Sequence, residues 1–312
     1  MVDPLNKVGS PTSGNRTMKV STTSSSPLGD QLAKDRSAYA KLSQGKFKKP
    51  EQTRIIAVAN QKGGVGKTST TVNIAAGLAK GGLNVVVIDA DPQGNASTAL
   101  GAEHSSGTPS IYDIIIGTKT LDEVLQQNEL LPTLFTAPAT IDLSSAEIEL
   151  ISEEDRAFKM RNAIESFLNV SRETFKKFDY VIIDCPPSLG MLTLNSLVAA
   201  NEVMIPIQTE YYALEGLTQL LKTIESVRAA YNENLELSTI LLTMVDKRTN
   251  LAQEVAAEVR EYFPSQTLNT EIPRSVRIAE APSFQQTIIT FDPRSTGGVA
   301  YLAAAKEIAD RG

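Results

Sequence analysis

The chain is 312 residues long, 41% hydrophobic and carries a net charge of −6, which allows one or two domains with a sizeable core. One cysteine (Cys185) and one histidine (His104) exclude an intrachain disulfide framework and make a Cys/His metal cluster untenable. No apolar run approaches the length needed to cross a bilayer, and the N-terminus has no apolar signal core, so a reducing cytoplasm is expected.

In chain order, residues 1–50 come first and are rich in Ser, Thr, Gly and Pro. Such a segment buries too little surface to offset its ordering entropy, so it is expected to be a disordered tail, with at most a weak helix over 30–42. The first 54 residues hold ten Lys/Arg against four acids, which leaves the remainder strongly acidic. The tail reads either as a solubilising extension or as a basic arm attracted to DNA. From residue 54 on, short apolar runs expected as strands (55–60, 85–89, 134–137, 180–184, 203–208, 237–243) alternate with helical patterns. The helices are expected over 66–80, 144–167, 192–200, 214–230, 251–262 and 298–310. In the second of these, Ile148, Ile151, Ile164 and Phe167 are the apolar positions. This alternation predicts an α/β fold with one doubly wound, mostly parallel sheet, helices on both faces and ligands at the carboxyl ends of the strands.

Three motifs fall at those ends. The first strand runs into Lys62-Gly63-Gly64-Val65-Gly66-Lys67-Thr68-Ser69, a glycine loop that opens a helix. Its backbone N–H groups suit a phosphate chain, Lys67 suits the β- and γ-phosphates, and the Thr68 hydroxyl suits Mg²⁺. Gln61 stands where the generic phosphate loop has glycine, and Lys62 is an extra lysine that such a loop does not need. The second motif, Asp89-Ala90-Asp91-Pro92-Gln93-Gly94-Asn95, brings two carboxylates to a strand end, where one can orient a water. The third is Asp184-Cys185-Pro186-Pro187, an apolar strand ending in the kind of Asp that supports Mg²⁺. Cys185 reads as a small core residue with no histidine placed to activate it.

KGGVGKT, DADPQGN and DCPP, in this order, resemble the deviant Walker-motif P-loop ATPases of the ParA/MinD group, and the resemblance runs from about residue 54 to the C-terminus. The segments TMVDKRTNL and IPRSVRIAEAPS resemble the chromosomal ParA, or Soj, branch. The resemblance implies an ATPase domain over 51–312, behind the tail (1–50) that composition reads as disordered, with ATP and Mg²⁺ as cofactors. It implies that Lys62 reaches across an ATP-sandwich homodimer to the partner's nucleotide. Gly63, Gly64, Val65, Gly66, Lys67, Thr68 and Ser69 then bind phosphate, with Lys62, Lys67 and Asp91 catalytic and Asp91 positioning the attacking water. Thr68, Asp89 and Asp184 attend the metal, and Met244 and Pro273 (with Asp246) border the adenine. Arg248 and Arg277 match DNA-contacting positions, with Arg274, Lys247 and Lys222 as neighbours; solvated surface charge is the other reading of all five, or, for Arg274, a structural or nucleotide contact.

By the same resemblance, the partners are double-stranded DNA bound without sequence preference and a ParB-like centromere-binding protein that stimulates slow hydrolysis. A nucleoid-associated cytoplasmic location follows. A relative that positions another cargo fits the same core. A MinD-like membrane regulator needs an amphipathic C-terminal helix, and the alanine-rich end YLAAAKEIADRG suits it poorly. An iron–sulfur redox ATPase needs more cysteines than one.

Overall fold

The computed structural model describes residues 27–173, 177–211 and 213–312. The first 26 residues, which carry most of the expected tail, lie outside the described residues. Strands and helices alternate as α1 (Pro27–Ser43), β1 (Arg54–Val58), α2 (Lys67–Lys80), β2 (Val85–Asp89), α3 (Asn95–Ala99), α4 (Ile111–Ile115), α5 (Leu121–Val124), β3 (Gln126–Gln127), β4 (Leu134–Ala137), α6 (Leu143–Glu149), α7 (Lys159–Glu173), β5 (Tyr180–Asp184), α8 (Met191–Ala199), β6 (Glu202–Gln208), α9 (Ala213–Ala230), β7 (Glu236–Thr243), α10 (Asn250–Tyr262), α11 (Val276–Glu280), α12 (Ile288–Phe291) and α13 (Thr296–Arg311).

The sheet order is β3-β4-β2-β5-β1-β6-β7. Every pairing is parallel except the short β3 on β4. Runs such as VVVID and YVIID are buried along their whole length because both faces of the sheet are covered. Alternate residues feed opposite cores. Ile55, Ala57, Val86, Ile88, Val181 and Ile183 face α4 to α10. Ile56, Val58, Val85, Val87, Tyr180 and Ile182 face α2, α3, α12 and α13. Past β7, parallel bridges Ile240–Thr267 and Val245–Pro273 carry the chain back along the sheet edge to the carboxyl ends of the strands.

Two expectations change. The helix expected over 144–167 is two helices, because Asn195 of α8 holds the break open. Its Oδ1 accepts from Met160 N–H at 3.2 Å and its Nδ2 donates to Arg156 O at 2.7 Å. Of the apolar positions in that pattern, Ile148 and Ile151 are 73% and 67% exposed, while Ile164 and Phe167 reach the core. The tail boundary also moves, since residues 27–50 pack on the domain. Tyr39 and Leu42 lie on the α2/α13 core, and buried Asp35 accepts from Thr296 Oγ1 at 2.8 Å at the start of α13. Phe47 is buried over Gly81, where a Cβ would run into the ring. A few well-placed apolar and polar anchors thus offset the ordering cost that composition alone seemed to forbid.

The helix that opens the glycine loop, α2, is clamped by α13. A Cβ on Gly77 would meet the Ala305 Cβ at 2.6 Å, a contact between two helices with no flexible side-chain end to yield. Gly77→Ala is therefore expected to destabilise by about 1–2 kcal/mol, overpacking outweighing the helix-propensity gain. Urea unfolding measures this, and an unchanged or higher midpoint would refute the clamp.

Candidate active site

The glycine loop joins the carboxyl end of β1 to α2. Gly64 and Gly66 have φ of +75° and +87°, which only glycine adopts without strain. Gly66 is the N-cap of α2 and supplies no side-chain cap, so the helix start keeps free N–H donors. Cβ atoms built on Gly63 and Gly64 would meet nothing within 4 Å. The loop is an open nest of N–H groups at a positive helix end, with the shape and sign that a phosphate chain requires. It is held from behind: Thr243 Oγ1 donates to Val65 O at 2.8 Å, and Lys62 N–H donates to Asn60 Oδ1 at 3.0 Å. A cavity of about 250 Å³ beside the first turn of α2 is lined by Thr68, Ser69, Asn73, Asn95 and Ile278. A larger one of about 990 Å³, lined by Arg54, Glu202, Glu236 and Arg311, contains none of the expected site residues.

The electrostatics fit a charged ligand. Lys67 is buried, and its ammonium donates to the Lys62 carbonyl at 3.4 Å. Burial pulls its pKa below the ordinary lysine value, with Asp184, Cys185 and Asp91 opposing. Asp89 and Asp184 are fully buried and stand opposite each other on β2 and β5. Burial first, and the Asp89 charge second, push Asp184 up to about 7, against the Thr68 and Thr71 hydroxyls. Thr71 Oγ1 donates to Asp184 Oδ1 at 2.8 Å, while Asp184 Oδ2 is buried without a hydrogen-bond partner among the described residues. Gln61 Nε2 is a second such orphan. An unpartnered buried carboxylate oxygen near a threonine hydroxyl suits a hard divalent cation, so the residues present fit Mg²⁺ held through Thr68 and Asp184.

Asp89 is differently occupied. Its Oδ2 accepts from Ser97 N–H at 2.8 Å and Ser97 Oγ at 2.7 Å, and its Oδ1 accepts from Asp91 N–H at 3.2 Å. Asp89 caps α3 from the strand end and orients Asp91; its oxygens are already engaged, unlike the Asp184 Oδ2. Asp91 is half-buried, with Oδ1 accepting from Gln93 N–H at 3.0 Å and its carbonyl accepting from Gly94 N–H at 2.9 Å. Gly94, at φ +64°, leaves no room for a Cβ beside His104 and Ala139 O. His104 packs here, hydrogen-bonded with Thr98 Oγ1 at 3.1 Å. Cys185 is buried and burial pushes its thiol up to about 12, in keeping with a core residue.

Met244 and Pro273 lie on neighbouring chain segments, joined through the Val245–Pro273 bridge. Met244 has φ of +51°, and a Cβ on Gly66 would stand 3.7 Å from its Cε, which places it at the glycine loop. The same two segments bring Lys247, Arg248, Arg274 and Arg277 to the carboxyl ends of the strands. Arg248 makes a two-pronged pair with Asp246 (2.8 and 2.7 Å) and is 88% exposed along its side chain. That pair holds Asp246 down at about 2. Arg277 pairs with Asp292 and Glu280, each at 3.2 Å, over the Phe291 ring. Lys247 pairs with Glu271 at 3.0 Å. Arg274 is exposed, and Lys222 is exposed on α9, outside this loop pair.

The comparisons agree with this geometry. The family model described as an AAA domain matches residues 53–237. The chain is 46% identical to the chromosome partitioning protein ParA of Myxococcus xanthus over 258 residues, covering 83% of this chain and 88% of that one. It is 46% identical to the sporulation initiation inhibitor protein Soj of Bacillus subtilis, over 83% of this chain and 99% of that one. The chain belongs to the ParA/Soj family of P-loop ATPases. Among solved structures, cobyrinic acid a,c-diamide synthase from Mycobacterium smegmatis with bound ADP and magnesium is similar at 35% identity and a TM-score of 0.68, over 81% of this chain and 93% of that one. The cell-division ATPase MinD of Pyrococcus furiosus, at 22% identity and a TM-score of 0.66, shares the fold. Within this family fold, residues that motif reading did not single out support the site: Thr71 on Asp184, Ser97 on Asp89, Thr243 on the loop and Glu210 on Lys62. Thr71, one helical turn after Lys67, and Thr243, the first residue of TMVDKRTNL, had a visible signal in the sequence.

Proposed function

We propose that this ParA/Soj-family ATPase is a DNA-segregation switch. The loop binds ATP, with Mg²⁺ held by Thr68 and Asp184; the bound ion offsets charge on the phosphates. Gly63 to Ser69 cradle the phosphate chain, Lys67 neutralises its β/γ end, and Asp91 orients the attacking water. Two ATP-loaded chains face each other, each Lys62 reaching the other's nucleotide, and the dimer lines up basic residues against DNA phosphates. A ParB-like protein on a centromere-like site stimulates hydrolysis and releases the dimer. Cytoplasmic residence on the nucleoid follows from this cycle.

The observation that carries the reading is the buried Asp184 Oδ2 without a partner, beside an open N–H nest whose extra lysine, Lys62, stands half-exposed on its rim. Such a site is built to complete its charge balance with something brought from outside. The membrane-regulator reading is weakened by α13, whose face carrying Tyr301, Leu302, Ala304 and Ala305 is buried against the core. Among the described residues no helix is long and apolar enough to cross a membrane.

DNA co-sedimentation with ATP, a non-hydrolysable analogue and ADP, with and without residues 1–26, tests the switch. Binding with ATP and its loss with ADP are expected; equal binding in all states would sink the proposal. Arg248→Ala belongs in the same assay. Phosphate contacts release counterions, so losing one contact per chain should weaken binding and reduce the slope of log affinity against log salt by about one per contact. Asp246 already neutralises this guanidinium in the free chain, so DNA must compete with or share that pair. An unchanged salt slope would remove Arg248 from the interface.

A further inference from the structure

We propose that Glu210 is a latch that holds Lys62 in the single chain and sets the threshold for ATP-dependent dimerisation, an inference that rests on the cross-subunit reading of Lys62. The Lys62 ammonium donates to Glu210 Oε2 at 2.6 Å. Both ends of this pair are anchored to the seam between β1 and β6. Lys62 N–H donates to Asn60 Oδ1, and Asn60 Nδ2 donates to Pro206 O at 2.8 Å. Glu210 stands just past β6, its N–H donating to Gln208 O at 2.8 Å. The extra lysine of the loop is therefore already engaged before any second chain arrives.

Exposure decides whether such a pair locks or latches. The two side chains are 39% and 46% exposed, so water screens the attraction and the pair opens at modest cost. A triphosphate from a facing chain offers several negative charges against one carboxylate, and it wins the ammonium. A diphosphate lacks the γ-phosphate charge and competes less well. The latch thus raises the barrier to dimerisation for both nucleotides, and it leaves only the richer anion able to overcome it. Each dimer must open two latches, so the effect of a weak pair enters squared.

The test is sedimentation equilibrium of full-length protein with ATP analogue or ADP, comparing wild type, Glu210→Gln, Glu210→Ala, Lys62→Ala and Lys62→Ala with Glu210→Gln. Removing the acceptor charge should tighten the ATP-analogue dimer by roughly two- to twentyfold and raise the dimer fraction with ADP. Lys62→Ala should lose the dimer, and the double variant should behave like Lys62→Ala, because the latch has nothing left to hold. A merely structural role for Glu210 predicts the opposite sign, a weaker dimer in both Glu210 variants. If Lys62→Ala still dimerises fully with the analogue, the cross-subunit reading fails and the latch with it. If Lys62→Ala loses the dimer but Glu210→Gln leaves it unchanged or weaker, the latch alone is overturned. Far-UV circular dichroism and a cooperative urea transition, recorded for each variant, verify that it is folded.

Discussion

Asp91→Ala is expected to slow ATP turnover by about 10²–10⁴-fold, the range for removing a positioned general base, with little change in nucleotide affinity. The local structure gives the reason. Asp91 N–H donates to Asp89, its carbonyl accepts from Gly94 N–H and its Oδ1 accepts from Gln93 N–H, so backbone and carboxylate are fixed from three sides. One oxygen is left for a ligand among the described residues, and the group is half-buried, open to water at the strand end. None of these contacts passes through the glycine loop, whose conformation depends on Gly64, Gly66, Thr243 and Asn60. Binding and turnover should therefore separate. Phosphate release under saturating ATP, beside a nucleotide titration, is the measurement. Normal turnover would end the water-positioning role; lost affinity would show that the side chain supports the nest. Asp91→Asn should be nearly as slow as Asp91→Ala, since an amide keeps the shape and loses the basicity.

The sheet was legible because its strands are continuous apolar runs with both faces covered, and each expected strand overlaps the observed one to within one or two residues at either end. The glycine loop and the strand-end aspartates were legible for a related reason: backbone geometry and charge at a strand end leave a local trace. What escaped depends on residues far apart in the chain. Asn195 divides α6 from α7 across more than thirty positions, and nothing within 144–167 announces it. Asp89 reads as a metal neighbour until Ser97 is seen to take its Oδ2. The helix at Pro27–Ser43 was expected weakly over 30–42, but its docking was not: Asp35 and Tyr39 find Thr296 and the α2/α13 seam on arrival. Glu210 is an acid past a strand until the fold sets it against Lys62.

Asp184→Asn should change stability and function in opposite directions. In the ligand-free chain the Asp184 carboxyl is fully buried, faces Asp89 across the β2–β5 pairing, and has its pKa raised to about 7 from the ordinary carboxylate value near 4. A group that binds its proton more tightly folded than unfolded contributes stability that is complete below the unfolded pKa. That contribution is lost as pH rises through the folded one. Ligand-free wild type should thus lose stability between about pH 4 and pH 7 through the Asp89–Asp184 pair, and Asp184→Asn should reduce that loss without abolishing it, since buried Asp89 remains. At pH 8 the amide removes a buried charge that has no partner on Oδ2, keeps an acceptor for Thr71, and should raise the melting temperature. With nucleotide and Mg²⁺ the order reverses. At a ligand concentration 100 times its Kd, wild type gains about 2.7 kcal/mol by mass action. The variant, lacking the anionic oxygen that suits the cation, should gain far less and hydrolyse ATP poorly. Thermal melts at pH 5 and pH 8, each with and without MgATP, separate the two effects. A variant less stable than wild type at pH 8 without ligand would show that Asp184 serves the fold first. A variant stabilised by MgATP as strongly as wild type would remove Asp184 from the metal site.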